Sequence, residues 1–295
     1  MAKNLEAPIL VSEIGVLLLG FNRPELLKKR IDEICESKVE NLYISIDGGS
    51  ESHTVEMDLF KQYAQKKLSK LHSFNLNHHK DNLGLVRHIT GEISNVLNKH
   101  QYIIVIEDDI KISTNFINNM IDGLNIHERD SSIGIVTGFS PLHFKYLKNK
   151  NKWRISRYPY IWGWACSRAV WQSYTYDLSE VDIGQKLLDS KSWNNLKPSQ
   201  KIKWLGLFRK VQVNPLETWD SQLVYLSFCK DFINLTPIFS MVGNEGFNDS
   251  RAVHTKGKKP KLVTTLNINH TIITKKSKYL NSISNFVDKY FMNDF

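Results

Sequence analysis

The sequence predicts an α/β fold, a mostly parallel sheet with helices on both faces. Three observations carry this expectation. Strand-length apolar runs alternate with segments of helical periodicity through the first half of the chain. The runs "IGVLLLG" and "YIIVI" are apolar or aromatic throughout, as suits strands inside a sheet covered on both faces. No internal repeat or low-complexity tract interrupts the alternation. A chain of 295 residues can bury a sizeable core, as one large domain or two smaller ones.

The elements follow in order. "IGVLLLG" (14–20) reads as a buried strand. In "FNRPELLKKRIDEI", Asn22 and Glu25 have capping-box spacing, Pro24 suits a first helical turn, and Leu27, Ile31 and Ile34 form one apolar stripe. "NLYISID" (41–47) is a second strand, stopped by Gly48-Gly49. "LGLVRHITGEISNVLNKH" is a helix with Leu85, Ile89, Ile93, Val96 and Leu97 on one face. "YIIVI" is the next strand. "STNFINNMIDGL" is a helix, with Ser113 as cap and Phe116, Ile117, Met120 and Leu124 inward. "IGIVTG" (133–138) is another strand.

Composition narrows the function classes. The balance of 41% hydrophobic and 23% charged residues is that of a soluble globular protein. No apolar run reaches the roughly 18–20 residues that span a bilayer, and "IGVLLLGF" leads into a turn rather than a cleavage site. Cys35, Cys166 and Cys229 are odd in number and have no ligand-like spacing, which suits a reducing cytoplasm and indicates neither a disulfide framework nor a zinc site. Of the net charge of +9, residues 256–295 supply +6, with eight lysines against Asp288 and Asp294. That segment ends in "NFVDKYFMNDF". A basic tail bearing aromatic residues suits an anionic membrane surface or acceptor, and also a merely solvated terminus. No nucleic-acid-binding motif accompanies the basic residues.

Ligands of such sheets bind beyond the carboxyl ends of the strands. That rule places Phe21-Asn22-Arg23, Asp47-Gly48-Gly49 and Glu107-Asp108-Asp109 along one rim. Adjacent carboxylates repel each other and are better tolerated around a hard cation such as Mg²⁺ or Mn²⁺. The other reading of the triplet is a solvated acidic turn, with Asp109 capping a following helix.

All seven tryptophans fall between residues 153 and 219. Most such side chains serve a core, although a cluster at a cleft could stack on sugar rings. Gly163, between Trp162 and Trp164, marks a place where a side chain would obstruct a ligand or a neighbouring segment. Asp220, after Trp219, opens an apolar helical run and has an N-cap role as its simplest reading. A Gly-rich loop ends at His254.

Seven motifs, in this order, make the chain resemble the GT-A glycosyltransferases. They are "GFNRPE", "SIDGG", "NLGLVRH", "VIEDD", "PYIWGWACSRAVW", "TWDSQ" and "NEGF" followed by "HT". Within that class the chain is more similar to the bacterial family-2-like or haemolysin-like group, and distantly to N-acetylglucosaminyltransferase I. The resemblance runs from about residue 14 to 256. It implies a Rossmann-like GT-A domain over residues 1–260, with a donor half at about 10–112 and an acceptor half at about 113–256, and leaves 261–295 as an uncovered tail.

The resemblance also implies roles. Arg23 meets the donor diphosphate or uridine, Asp47 the nucleoside, and Arg87 and His88 the nucleotide. Asp109 binds the divalent metal, while Glu107 and Asp108 face the ribose and donor sugar. His254 approaches the metal, Asp220 is the catalytic base of an inverting transfer, and Gly163, Trp164 and Trp219 border the sugar or acceptor. The expected cofactor is Mn²⁺ or Mg²⁺. The expected partners are a nucleotide-sugar donor, a UDP-sugar by resemblance, and a glycan or lipid-linked acceptor, with peripheral membrane contact through the tail and no nucleic acid. The expected location is cytoplasmic, at the inner face of the membrane. Two rival readings are a sugar nucleotidyltransferase, whose Gly-rich phosphate loop "GFNRPE" does not supply, and a non-catalytic carbohydrate-binding or membrane-associated protein.

Overall fold

The computed structural model of the protein describes residues 7–49, 54–141 and 153–248. Its first half is a Rossmann-like unit. Strands β1 (Ile14–Gly20), β2 (Asn41–Ile46), β3 (Ser73–His78) and β4 (Tyr102–Glu107) pair in parallel in the order β3-β2-β1-β4. Helices α1 (Pro24–Cys35), α2 (Thr54–Leu68) and α3 (Leu85–Leu97) make the crossovers. Every residue of β1 is buried, and its side chains serve two cores in alternation. Val16 and Leu18 pack with Leu27, Ile31 and Ile34 of α1. Leu17 and Leu19 pack with Ile89 and Ile93 of α3 on the opposite face. The uninterrupted apolar run thus follows from helices on both sides of the sheet.

The capping box expected of Asn22 and Glu25 does not form. Arg23 stands at the N-cap of α1 and makes no side-chain cap bond. Its guanidinium is committed to the site described below.

The second half comprises β5 (Ile110–Ile112), α4 (Phe116–Glu128), β6 (Ile133–Thr137), β7 (Trp153–Ser156), β8 (Trp164–Ser167), α5 (Arg168–Trp171), α6 (Ile183–Leu188), α7 (Lys191–Asn194), α8 (Pro198–Val213), α9 (Asp220–Cys229), β9 (Ile233–Pro237) and β10 (Val242–Asn244). It extends the sheet to eight strands, continuing from β4 as β8-β6-β9-β7. Strands β8 and β7 run antiparallel to their neighbours, while β6 and β9 are parallel to each other. A further apolar cluster under α6–α9 gathers Tyr158, Leu178, Leu187, Trp193, Phe208 and Phe228.

Two expected helix starts differ from the structure. Strand β5, not a helix, follows Asp109, so that side chain caps nothing there. Helix α4 has Asn115 at its N-cap, and Ser113 takes part only through its carbonyl, which accepts from Phe116 N at 2.9 Å. Strand β5 pairs antiparallel with β10, and Glu245 N donates to the Asp109 carbonyl at 2.8 Å. The acidic turn is thereby tied to "NEGF" from the far end of the chain.

Packing and backbone conformation together require glycine at position 163. Its φ is +57°, and an added Cβ would lie 2.9 Å from Phe116 Cζ and from Val242 Cγ1. Gly163→Ala is expected to lower stability by about 2 kcal/mol or more, from the left-handed backbone and the overpacking together. Urea denaturation measures this. An unchanged midpoint would refute the packing role.

Candidate active site

The chain crosses from β1 to β2 on one side and reaches β4 on the other, so a crevice opens beyond the carboxyl ends of β1 and β4. A cavity of about 470 Å³ occupies this place, within the size range of small-molecule sites. Its lining includes Gly20 to Arg23, Asp47, Asn82, Gly84, His88, Glu107 to Asp109, Trp162, Glu217 to Asp220, and Asn244. Both halves of the chain contribute to it.

The acidic triplet sits there for a structural reason. The buried run Ile103–Ile106 holds β4 in the sheet, with Glu107 opposite Leu19 of β1. The strand therefore delivers Glu107 to the rim and Asp108 and Asp109 to the turn before β5. Arg23 answers them from the end of β1. Its Nε donates to Asp108 Oδ2 at 3.1 Å, its Nη2 to Asp108 Oδ1, and its Nη1 to Asp109 Oδ2 at 3.3 Å. Such a forked contact is stronger than a single neutral hydrogen bond.

One guanidinium does not neutralise three carboxylates. Burial first, then Asp109 and Asp108, push the Glu107 carboxyl well above its ordinary range. Burial raises Asp108 and Asp109 too, against the lowering effect of Arg23. The field of Asp220 also reaches Glu107, so the acids of the two halves face one space.

Asp47 lines the cavity, yet its carboxylate holds backbone. Oδ1 accepts from Gly48 N at 2.9 Å and Leu83 N at 2.8 Å, and Oδ2 accepts from Gly84 N at 3.1 Å. It fixes the loop that leads into α3 and, as a cavity-lining residue, stands where the nucleoside contact was expected. His88 is buried, with Nε2 2.9 Å from Ser45 Oγ, and burial lowers its pKa. Arg87, expected beside it at the nucleotide, is exposed and does not line the cavity. Neighbouring helix positions point about 100° apart, so only one of the pair can face inward. His254 lies outside the described residues.

On the opposite wall, Trp219 is the N-cap residue of α9 and Asp220 its first residue, so the N-cap role read for Asp220 falls one position earlier. Asp220 Oδ1 accepts from Ser221 N at 2.7 Å and from the Thr218 hydroxyl. Trp219 lines the cavity, but Trp164 does not. Trp164 is fully buried and stacks behind Trp219 at a centroid distance of 5.7 Å. Trp162 lines the cavity instead, braced by Phe139 at 4.5 Å and Phe247 at 5.8 Å. Trp162, Asn82, Glu217, Thr218 and Asn244 are lining residues that sequence reasoning did not single out. Each lies inside or beside a quoted motif, which was the available signal.

The donor chemistry of this wall suits a hard divalent cation. Asp108 and Asp109 share Arg23, Arg30 also favours the charged form of Asp109, and the repulsion that Glu107 feels from both acids is what such an ion would relieve. Among the described residues, no three His, Cys, Asp or Glu side chains are already grouped as an ion's ligands.

No protein family and no curated protein matches the sequence. Among solved structures, the chain is similar to a mannosyltransferase from Pyrobaculum calidifontis in complex with GDP-Man and Mn²⁺, with 10% identity over 63% of this chain and 49% of that one, at a TM-score of 0.39. It is also similar to glucosyl-3-phosphoglycerate synthase from Mycobacterium tuberculosis (12% identity, 54% and 57% covered, TM-score 0.34). UDP-glucose pyrophosphorylase complexed with UDP-glucose is a third (9% identity, 76% and 89% covered, TM-score 0.39). The chain spans about half the length of the first two. Likenesses this distant carry no weight for function.

Proposed function

We propose that the protein is an inverting, metal-dependent glycosyltransferase of the GT-A class. It would move a sugar from a nucleoside-diphosphate donor, a UDP-sugar, to a hydroxyl of a glycan or lipid-linked acceptor. Residues 10–112 form the donor half and 113–256 the acceptor half. The observation that carries this reading is one cavity walled by the acidic triplet with Arg23 on one side and by Trp219 and Asp220 on the other.

Each residue has a task in such a transfer. Asp220 accepts the proton of the acceptor hydroxyl as that oxygen attacks the anomeric carbon. The bond from that carbon to the donor phosphate breaks on the opposite face, and the configuration inverts. Arg23, freed in part from the triplet, donates charge-assisted hydrogen bonds to the departing diphosphate. Asp109, with its neighbours Glu107 and Asp108, would hold Mn²⁺ or Mg²⁺, which supplies charge neutralisation for the leaving group. Asp47 keeps the loop over the nucleotide in place, and Trp162 and Trp219 offer apolar faces to a sugar ring.

The test is a screen of nucleotide sugars for donor hydrolysis, with Mn²⁺ and with chelator. Metal-stimulated release of a nucleoside diphosphate supports the reading. Pyrophosphate release from a nucleoside triphosphate would make the protein a nucleotidyltransferase, and metal-independent inertness a binding protein. The basic tail is proposed to hold the enzyme at an anionic membrane surface without doing chemistry. Truncation at residue 260 is expected to weaken binding to anionic liposomes and leave donor hydrolysis nearly unchanged, and loss of hydrolysis would give the tail another role.

A further inference from the structure

We infer that the exposed face of α8 is a docking surface for an anionic lipid bilayer. The inference is independent of the transfer chemistry and concerns residues far from the tail in sequence. Residues 197–213 carry five basic side chains, Lys197, Lys201, Lys203, Arg209 and Lys210, and no acidic one. The inward face of the helix is fixed by Phe208 and Val211, both buried. The outward face is not simply polar. Ile202 is 71% exposed and Val213 is 88% exposed. Eleven residues of α-helix bring them within about 20° of each other around the axis and about 16 Å apart along it. Arg209 lies close to that line, and Lys201 and Lys210 flank it.

Two exposed apolar side chains among cations, on a helix anchored by its opposite side, offer an anionic bilayer both charge and apolar contact. A second copy of this face would be repelled by like charge. The 256–295 segment, itself at +6, is no better an occupant. A nucleic acid would use the cations but gain nothing from Ile202 and Val213.

The test uses the full chain with vesicles of phosphatidylcholine alone, or with about one-third phosphatidylglycerol. Wild type is expected to bind only the anionic vesicles. Ile202→Ser/Val213→Ser should weaken that binding by about tenfold, because two apolar contacts with the acyl boundary are lost. Arg209→Glu/Lys210→Glu should weaken it by at least about tenfold, and much more than Lys38→Glu/Lys70→Glu, which makes the same charge change on other exposed sites. All positions are surface ones, and unchanged thermal unfolding verifies the fold. The inference is overturned if the apolar pair has no effect, or if the two charge reversals weaken binding equally. Either result would assign the binding to general charge or to the tail.

Discussion

Asp220→Asn is expected to lose about 10²–10⁴ in turnover, the usual cost of removing a general base. The amide oxygen can still accept from Ser221 N and the Thr218 hydroxyl, so the start of α9 should survive. Donor affinity should change little, because the acidic triplet and Arg23 sit on the other wall of the cavity. Steady-state kinetics beside calorimetry with UDP separates the two quantities. Near-normal turnover removes Asp220 as base. A product of retained anomeric configuration removes the single displacement, even if Asp220 proves essential.

Asp109→Ala is expected to abolish Mn²⁺-enhanced UDP binding while the fold persists. Mn²⁺ should raise the thermal midpoint of wild type, as any ligand of the native state does, and leave that of the variant unmoved. Full metal-dependent binding in Asp109→Ala would move the ion elsewhere. The effect has a pH signature. Burial raises the carboxyls of Glu107, Asp108 and Asp109 above their ordinary range, and repulsion from neighbouring acids adds to this at Glu107 and Asp108. Metal binding must displace those protons, so metal-enhanced affinity should begin to fall as the pH drops through the raised value of Asp108, pushed up to about 6. Without metal the sign for stability is opposite. The native state takes up these protons at higher pH than the unfolded chain. The stability they contribute is present below the ordinary carboxylate range and lost as the pH rises through the raised values.

Much of the first half was legible in the sequence because its strands are continuous apolar runs and its helices have clean stripes. β1, α3 and β4 need little beyond periodicity to be found. β3 reads "SFNLNH" and is an edge strand with alternating exposure, which leaves almost no apolar run to detect. β8 and the β5–β10 ribbon are antiparallel pairings between distant segments, and only tertiary contact reveals them. The rim of acids was legible for the same reason as β4, since a strand that buried must end at a crevice. The role of each side chain was less so. In Trp162-Gly163-Trp164 the left-handed glycine decides which ring meets the cavity, and residue types alone do not encode that. Likewise, Asp47 carries an acid at the expected strand end, but three backbone amides claim it.

The sheet order also has a consequence for how the chain reaches its native state. β1, β2 and β4 all lie within the first 107 residues and can assemble as soon as that stretch is available. β6 cannot complete its pairing until β9 is present, because Ile133 lies opposite Ile233. Until then an apolar strand buried at all five positions in the final structure keeps one edge open. Long-range parallel pairing of this kind is slow, and open apolar edges recruit other chains. Refolding should therefore show an early phase confined to the N-terminal half and a later one that depends on residues 233–237. Protein concentration should govern yield during the interval between them, and hydrogen exchange at β6 should report when it closes.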